Sequence, residues 1–200
     1  LARELPDGVM LILDGRTGNV IVDPDATTIA EYRKRIADLL VVSRELLRYV
    51  DLPAETKDGG AMRLLANVDQ IDEAREALRY GAEGIGLYRT EFLFLNRHDL
   101  PDEDEQRAAY AEIIEAVAPH GATIRTLDLG ADKIARGHAT AVERNPCLGL
   151  RSIRISLRNL PLFRTQLRAI ARASVLGDVR LMFPLITTVL ELRQAKMVFS

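Results

Sequence analysis

One cysteine, Cys147, leaves no possibility of a disulfide within the chain, which fits a reducing, cytoplasmic setting. No run of about 18 apolar residues exists, so a membrane-spanning helix is excluded. The net charge is only -2. Drawing in a polyanion takes a clustered basic face, so electrostatics gives no case for a nucleic-acid partner. Internal repeats and low-complexity tracts are absent, and so are a His-x-x-x-His pair and any Cys/His cluster of the kind that holds zinc. His98, His120 and His138 fall in predicted loops or helix ends and read as surface residues. Cys147 has no neighbouring histidine and reads as a small buried hydrophobe rather than a nucleophile. The amino terminus, LARELPDG, has neither an initiator Met nor a signal-peptide pattern. The expectation is a chain that begins inside a longer sequence.

What is present is ordinary globular composition, 48% hydrophobic and 28% charged, which argues against disorder. Two hundred residues suffice for one large domain, or a medium one with a flanking element. Val9 to Leu13 and Asn19 to Val22 are short apolar runs separated by a turn sequence, Asp14 to Gly18, and predict a β-hairpin. Thr27 or Thr28, with Glu31 beyond, predicts the start of a long helix running to about Val50. Its apolar seam is Ile29, Tyr32, Ile36, Leu39, Ser43, Leu46 and Val50, at alternating spacings of three and four. That seam suits either a packing helix or a connector between domains. Pro53 and the Lys57-Asp58-Gly59-Gly60 run mark a domain boundary.

Beyond Gly60 the pattern alternates. Strands are expected at Met62 to Val68, Gly84 to Tyr88, Ala122 to Leu127 and Val179 to Ile186. Helices are expected at Asp69 to Arg79, Asp102 to Val117, Leu160 to Leu176 and from Thr188 onward. Alternation of this kind specifies an α/β fold with a parallel sheet, either doubly wound or part of a barrel. In both, ligands bind past the carboxyl ends of the strands. Asn67, Arg89 with Thr90 and Glu91, Arg125 with Asp128, and Pro184 with Thr187 occupy those positions. Two arginines at adjacent strand ends suit a small anion, because guanidinium forks bind phosphate or carboxylate with charge-assisted hydrogen bonds. They suit equally a rim ion pair with Glu91 or Asp128. The glycines of 81–86 do not form a dinucleotide fingerprint and read as glycines that allow close packing of a strand end. Asp128 and Asp132, beside Lys133, admit Mg²⁺ or pairing with neighbouring cations. Arg151 and Arg154 either add positive charge to the same mouth or face solvent.

Four blocks go further. GAEGIGLYRTEFLF (81–94), IRTLDLGADK (124–133), NPCLGLRSIR (145–154) and RLMFPLI (180–186) closely resemble, in order and spacing, enzyme I of the sugar phosphotransferase system. The YRTEF form favours enzyme I over the dikinase and synthase relatives that use the same substrate. The resemblance implies a (β/α)₈ barrel that binds phosphoenolpyruvate and Mg²⁺ and forms a homodimer. It implies transfer of the phosphoryl group to the protein's own histidine and then to a small His-containing carrier protein. It implies that Arg89 and Arg125 contact phosphoenolpyruvate and that Lys133 and Arg151 line the same mouth.

On that basis residues 1–25 are expected to end a phosphohistidine domain and 26–58 to form a linker helix. Residues 59–200 would form the first half of the barrel, about four βα units. None of the three histidines matches the phosphohistidine motif. The Mg²⁺ ligands and the family's catalytic cysteine are expected outside this chain, which on its own is expected to be inactive and to expose an open core. The competing expectation is a non-catalytic, barrel-derived binding or dimerisation module.

Overall fold

The computed structural model describes residues 5–95, 97, 99–130 and 149–200. The chain divides into two compact units between Leu52 and Pro53. Among the described residues no helix is long and apolar enough to cross a membrane.

In the first unit β1 (Leu11–Asp14) pairs antiparallel with β2 (Asn19–Val22), Leu11 opposite Val22 and Asp14 opposite Asn19. The Asp14 carboxylate accepts hydrogen bonds from the backbone N–H groups of Arg16 and Thr17 and so closes the turn from its own first residue. Helix α1 (Ala26–Leu46) follows and tightens into a 3₁₀ turn at Leu47–Tyr49. Its N-cap is Asp25, whose carboxylate accepts from the Thr28 N–H at 2.7 Å. The sequence points instead to Thr27 or Thr28. Asp25 is held in extended backbone, and its carboxylate takes the third-residue N–H, which leaves both threonines inside the first turn.

No residue of α1 is buried. Ile29 and Tyr32 are half-covered, while Ile36, Leu39 and Leu46 of the same seam are open. An open cleft of about 950 Å³ lies between the hairpin and α1, lined by Leu11, Leu13, Ile29, Ile36 and Leu39 among others. Among the described residues of this unit the seam enters no core.

Among its described residues the second unit holds four parallel strands, β3 (Ala66–Val68), β4 (Ile85–Arg89), β5 (Ala122–Arg125) and β6 (Val179–Met182). They lie side by side in chain order. Helix α2 (Ile71–Arg79) follows β3, and α3 (Glu103–Val117) follows β4. After β5 come α4 (Ile153–Arg158) and α5 (Leu160–Ala173), and after β6 comes α6 (Val189–Phe199). A doubly wound sheet reverses its strand order at a switch point, and these four strands do not.

Local chemistry fixes the helix starts. Asp102 caps α3 in a reciprocal box with Glu105, and Thr188 caps α6 in the same way with Glu191. Asn159 caps α5, with Pro161 in the first turn where a missing N–H is harmless.

The core lies between sheet and helices: Ile85, Tyr88, Ile113, Ile114, Val117, Ile124 and Ile170 are buried together. Tyr88 and Tyr110 meet edge to face, with ring centroids 6.2 Å apart. Gly84 allows the strands to start this close. Its φ is +126°, and a Cβ there would lie 2.6 Å from the Gly121 carbonyl oxygen.

Three strands are shorter than the sequence suggests, β5 ending at Arg125 rather than Leu127. Met62 to Leu65 is drawn off the ladder, with the Met62 N–H on Ala54 and the Leu64 carbonyl accepting from Glu83. The last strand stops at Met182, because Pro184 brings no N–H and Leu185 adopts φ +52°.

Candidate functional site

Arg89 is the last residue of β4, and in the ladder it lies opposite Arg125, the last residue of β5. The register therefore brings the two sequence-predicted arginines to neighbouring strand ends. Each guanidinium is held by carboxylates. Arg89 Nε lies 2.5 Å from Asp69 Oδ1, just past the end of β3, as an ion pair without hydrogen-bond alignment. Arg125 reaches Glu91 at 2.8 Å and Asp128 at 3.2 Å. Arg151 joins from the far side, 3.2 Å from the other oxygen of Asp128.

Both partners offered by the sequence for a rim pair, Glu91 and Asp128, are thus engaged. Asp69 was not foreseen. Its only sequence signal is its place directly after an apolar strand. The arginines are the more open side of every one of these pairs. The carboxylates form a floor and the guanidiniums an outer layer.

Further bonds tighten the floor. Glu91 Oε1 also accepts from the Asp128 N–H at 3.0 Å. The Ser152 hydroxyl donates to Asp128, and the Ser152 N–H donates to the Leu129 carbonyl at 3.0 Å. Ser152 is buried with φ +54°, a conformation that side chains other than glycine's resist and that persists only where the surroundings enforce it. Its neighbour Arg151 forms an isolated bridge with Gly130 and so is fixed in position. Nε of Arg125, Nε of Arg151 and Oε2 of Glu91 are buried without a hydrogen-bond partner among the described residues.

Beneath the ion pairs runs a buried polar layer that the sequence analysis missed. Thr90 Oγ1 donates to the Arg125 carbonyl at 2.9 Å. Gln166, on α5, accepts from the Leu127 N–H at 2.9 Å and donates to Thr90 Oγ1 and to the Tyr110 hydroxyl, both at 3.2 Å. Tyr110 in turn donates to Gln106 at 3.0 Å. Burial pushes the Tyr88 hydroxyl up to about 12, with the Glu112, Asp69 and Glu91 carboxylates adding to the effect. Burial raises Tyr110 as well.

Other expected positions lie elsewhere. Arg154 turns away from the cluster, donating to the Gly149 carbonyl and pairing with Glu191 at 3.8 Å. Thr187 is used in the cap of α6, where its N–H and hydroxyl both donate to Glu191. Those bonds, from the Thr187 N–H first and then its hydroxyl, hold the Glu191 carboxyl below its ordinary value. His120 is exposed. Lys133, Asp132, Cys147, His98 and His138 lie outside the described residues. Among the described residues no group of three or more His, Cys, Asp or Glu is arranged to hold a metal ion. Asp69, Glu91 and Asp128 are each committed to arginine, so they do not fit as a Mg²⁺ site.

Comparison with known proteins gives the site a context. A family described as PEP-utilising enzyme, PEP-binding domain, matches residues 43–200. The phosphoenolpyruvate-protein phosphotransferase of Bacillus subtilis is 43% identical over 192 residues, 96% of this chain and 34% of that protein. A protein of the same name from Cupriavidus necator is 47% identical over 187 residues, 92% of this chain and 32% of its own length. One from Staphylococcus carnosus is 40% identical over 98% of this chain. The chain spans about a third of the length of the curated relatives it matches.

Proposed function

The chain belongs to the PEP-utilising enzyme family, whose PEP-binding domain covers residues 43–200, and from that we propose that it supplies the phosphoenolpyruvate-binding face of a phosphoenolpyruvate-protein phosphotransferase. The observation that carries this reading is the pairing of Arg89 with Arg125 at adjacent strand ends, with Arg151 tied to the same cluster through Asp128. Phosphoenolpyruvate carries a carboxylate beside a phosphate. Guanidinium forks recognise both groups in a bidentate manner, and fixed positive charge stabilises the phosphoryl group as it transfers.

The three arginines are balanced by Asp69, Glu91 and Asp128. A trianionic ligand therefore exchanges with some of these carboxylates and draws on further positive charge. Lys133 is the residue of this chain assigned to supply it. The Mg²⁺ of the reaction is assigned to ligands outside this chain.

In the whole protein the phosphoryl group passes to a histidine of the same protein and then to a small His-containing phosphocarrier protein, the protein acting as a cytoplasmic homodimer. The chain-order sheet of β3 to β6 supports reading residues 59–200 as the first half of a (β/α)₈ barrel. Residues 1–25 are then the end of a phosphohistidine domain and 26–58 the linker helix. Incubation of the protein, in its full reading frame, with labelled phosphoenolpyruvate and Mg²⁺ tests the reading. Labelling on histidine that is lost in Arg125→Ala supports it, and equal labelling of the wild type and Arg125→Ala contradicts it.

A further inference from the structure

We propose that Gln166 is a positioning residue for the arginine pair: its buried side-chain amide sets the spacing of the strand ends that carry Arg89 and Arg125. This rests on the reading of those arginines as the phosphoenolpyruvate clamp.

The β4–β5 ladder ends at the Arg89–Arg125 pair itself. Past that point side chains must hold the two chains together. Thr90, the residue after Arg89, donates from Oγ1 to the Arg125 carbonyl. Gln166 then touches both ends at once. Its Oε1 accepts from the N–H of Leu127, two residues beyond Arg125, and its Nε2 donates to Thr90 Oγ1. The same Nε2 is steadied by the Tyr110 hydroxyl on α3. One amide from α5 thus joins the segments just past β4 and β5 to α3.

Helix-on-sheet packing by itself asks for apolar side chains, and burying a primary amide is unfavourable unless its bonds are made. Here the amide is 1% exposed and makes bonds with donor and acceptor alike. Those bonds are directional, so they fix distance and orientation in a way that an apolar contact of the same volume does not. A bidentate arginine clamp depends on that precision, because a misplacement of about 1 Å in such a positioning group can cost about 100-fold.

The test uses the protein in its full reading frame, with phosphoenolpyruvate as the titrant and thermal unfolding measured in parallel. Gln166→Met keeps the volume and loses the hydrogen bonds. Thr90→Val removes the hydroxyl, and Thr90→Ser restores it. Gln166→Met and Thr90→Val should each raise the Kd for phosphoenolpyruvate about tenfold at temperatures where both remain folded, the size of one lost hydrogen bond. Thr90→Ser should stay within about twofold of the wild type, and the double variant should lose less than the product of the singles. A lower melting temperature with an unchanged Kd in the folded variants would overturn the inference and leave Gln166 as a purely structural residue. If Gln166→Met does not fold, the Thr90→Val and Thr90→Ser pair decides. A wild type that does not bind phosphoenolpyruvate overturns the functional reading beneath, and the inference with it, and the wild-type titration alone reveals that outcome.

Discussion

Arg125 and Glu91 form the most enclosed ion pair among the described residues: the contact is 2.8 Å, with side chains 20% and 8% exposed. A pair this covered is costly to break from one side, because the remaining charge stays in poor solvent. Glu91→Ala removes a partner of Arg125 and also an acceptor for the Asp128 N–H. It should destabilise the fold by about 2–4 kcal/mol. Arg125→Ala should do likewise, and the double variant should lose clearly less than the sum. Urea unfolding of the four proteins measures the coupling. Strictly additive losses would mean that the pair contributes nothing jointly.

A second ion cluster ties α3 to α5 on the open surface. Glu103 begins α3, and its carboxylate accepts from Arg168 at 2.6 Å and from Arg172 at 2.9 Å. The bond from Arg168, then that from Arg172, hold its carboxyl below the ordinary 4.5. A carboxyl with a lowered value in the folded state stabilises above its unfolded value and loses that contribution as pH falls through the folded one. Glu103→Gln should therefore melt at a lower temperature than the wild type near neutral pH. The gap should close as pH drops below 4.5 and through the lower folded value. Melting curves across that range check it, and a gap that does not change with pH would be the contrary result.

Burial separates the two faces of the chain's apolar content. Ile124 on β5 is fully buried among Ile85, Ile113 and Ile170, whereas Ile36 on α1 is 57% exposed. Ile124→Ala should destabilise the second unit by about 2–5 kcal/mol through lost transfer energy and the cavity left behind. Ile36→Ala should change stability by no more than about 0.5 kcal/mol. Chemical denaturation of both variants makes the comparison. Equal losses would place Ile36 in a core.

The sequence displayed the order of elements well because helix and strand periods are local. The hairpin, α1 and four strand-then-helix units all stand where their patterns suggest. Ends were less legible. Val179 to Ile186 reads as one strand, apolar but for Arg180 and Pro184, yet pairing stops at Met182, since Pro184 cannot donate to a ladder and Leu185 turns to positive φ. Asp25 took the cap that Thr27 and Thr28 advertised, because a cap is decided by which oxygen reaches the free N–H.

At the site, Arg89 and Arg125 were visible as strand-end residues, but their carboxylate partners were only partly so. Asp69 meets Arg89 across 20 positions of chain, and Gln166 meets Thr90 across 76. No local pattern encodes such contacts. Ser152 gives no sign in sequence of the strained backbone that lets its hydroxyl reach Asp128.

The central claim is that Arg89 and Arg125 together form an anion clamp for phosphoenolpyruvate. Titrating the protein in its full reading frame with phosphoenolpyruvate and Mg²⁺, alongside Arg89→Ala, Arg125→Ala and Arg125→Lys, addresses it most directly. Lysine keeps the charge and loses the planar fork, so all three variants should bind at least about tenfold more weakly than the wild type. Wild-type binding no tighter than that of Arg89→Ala or Arg125→Ala would contradict the clamp.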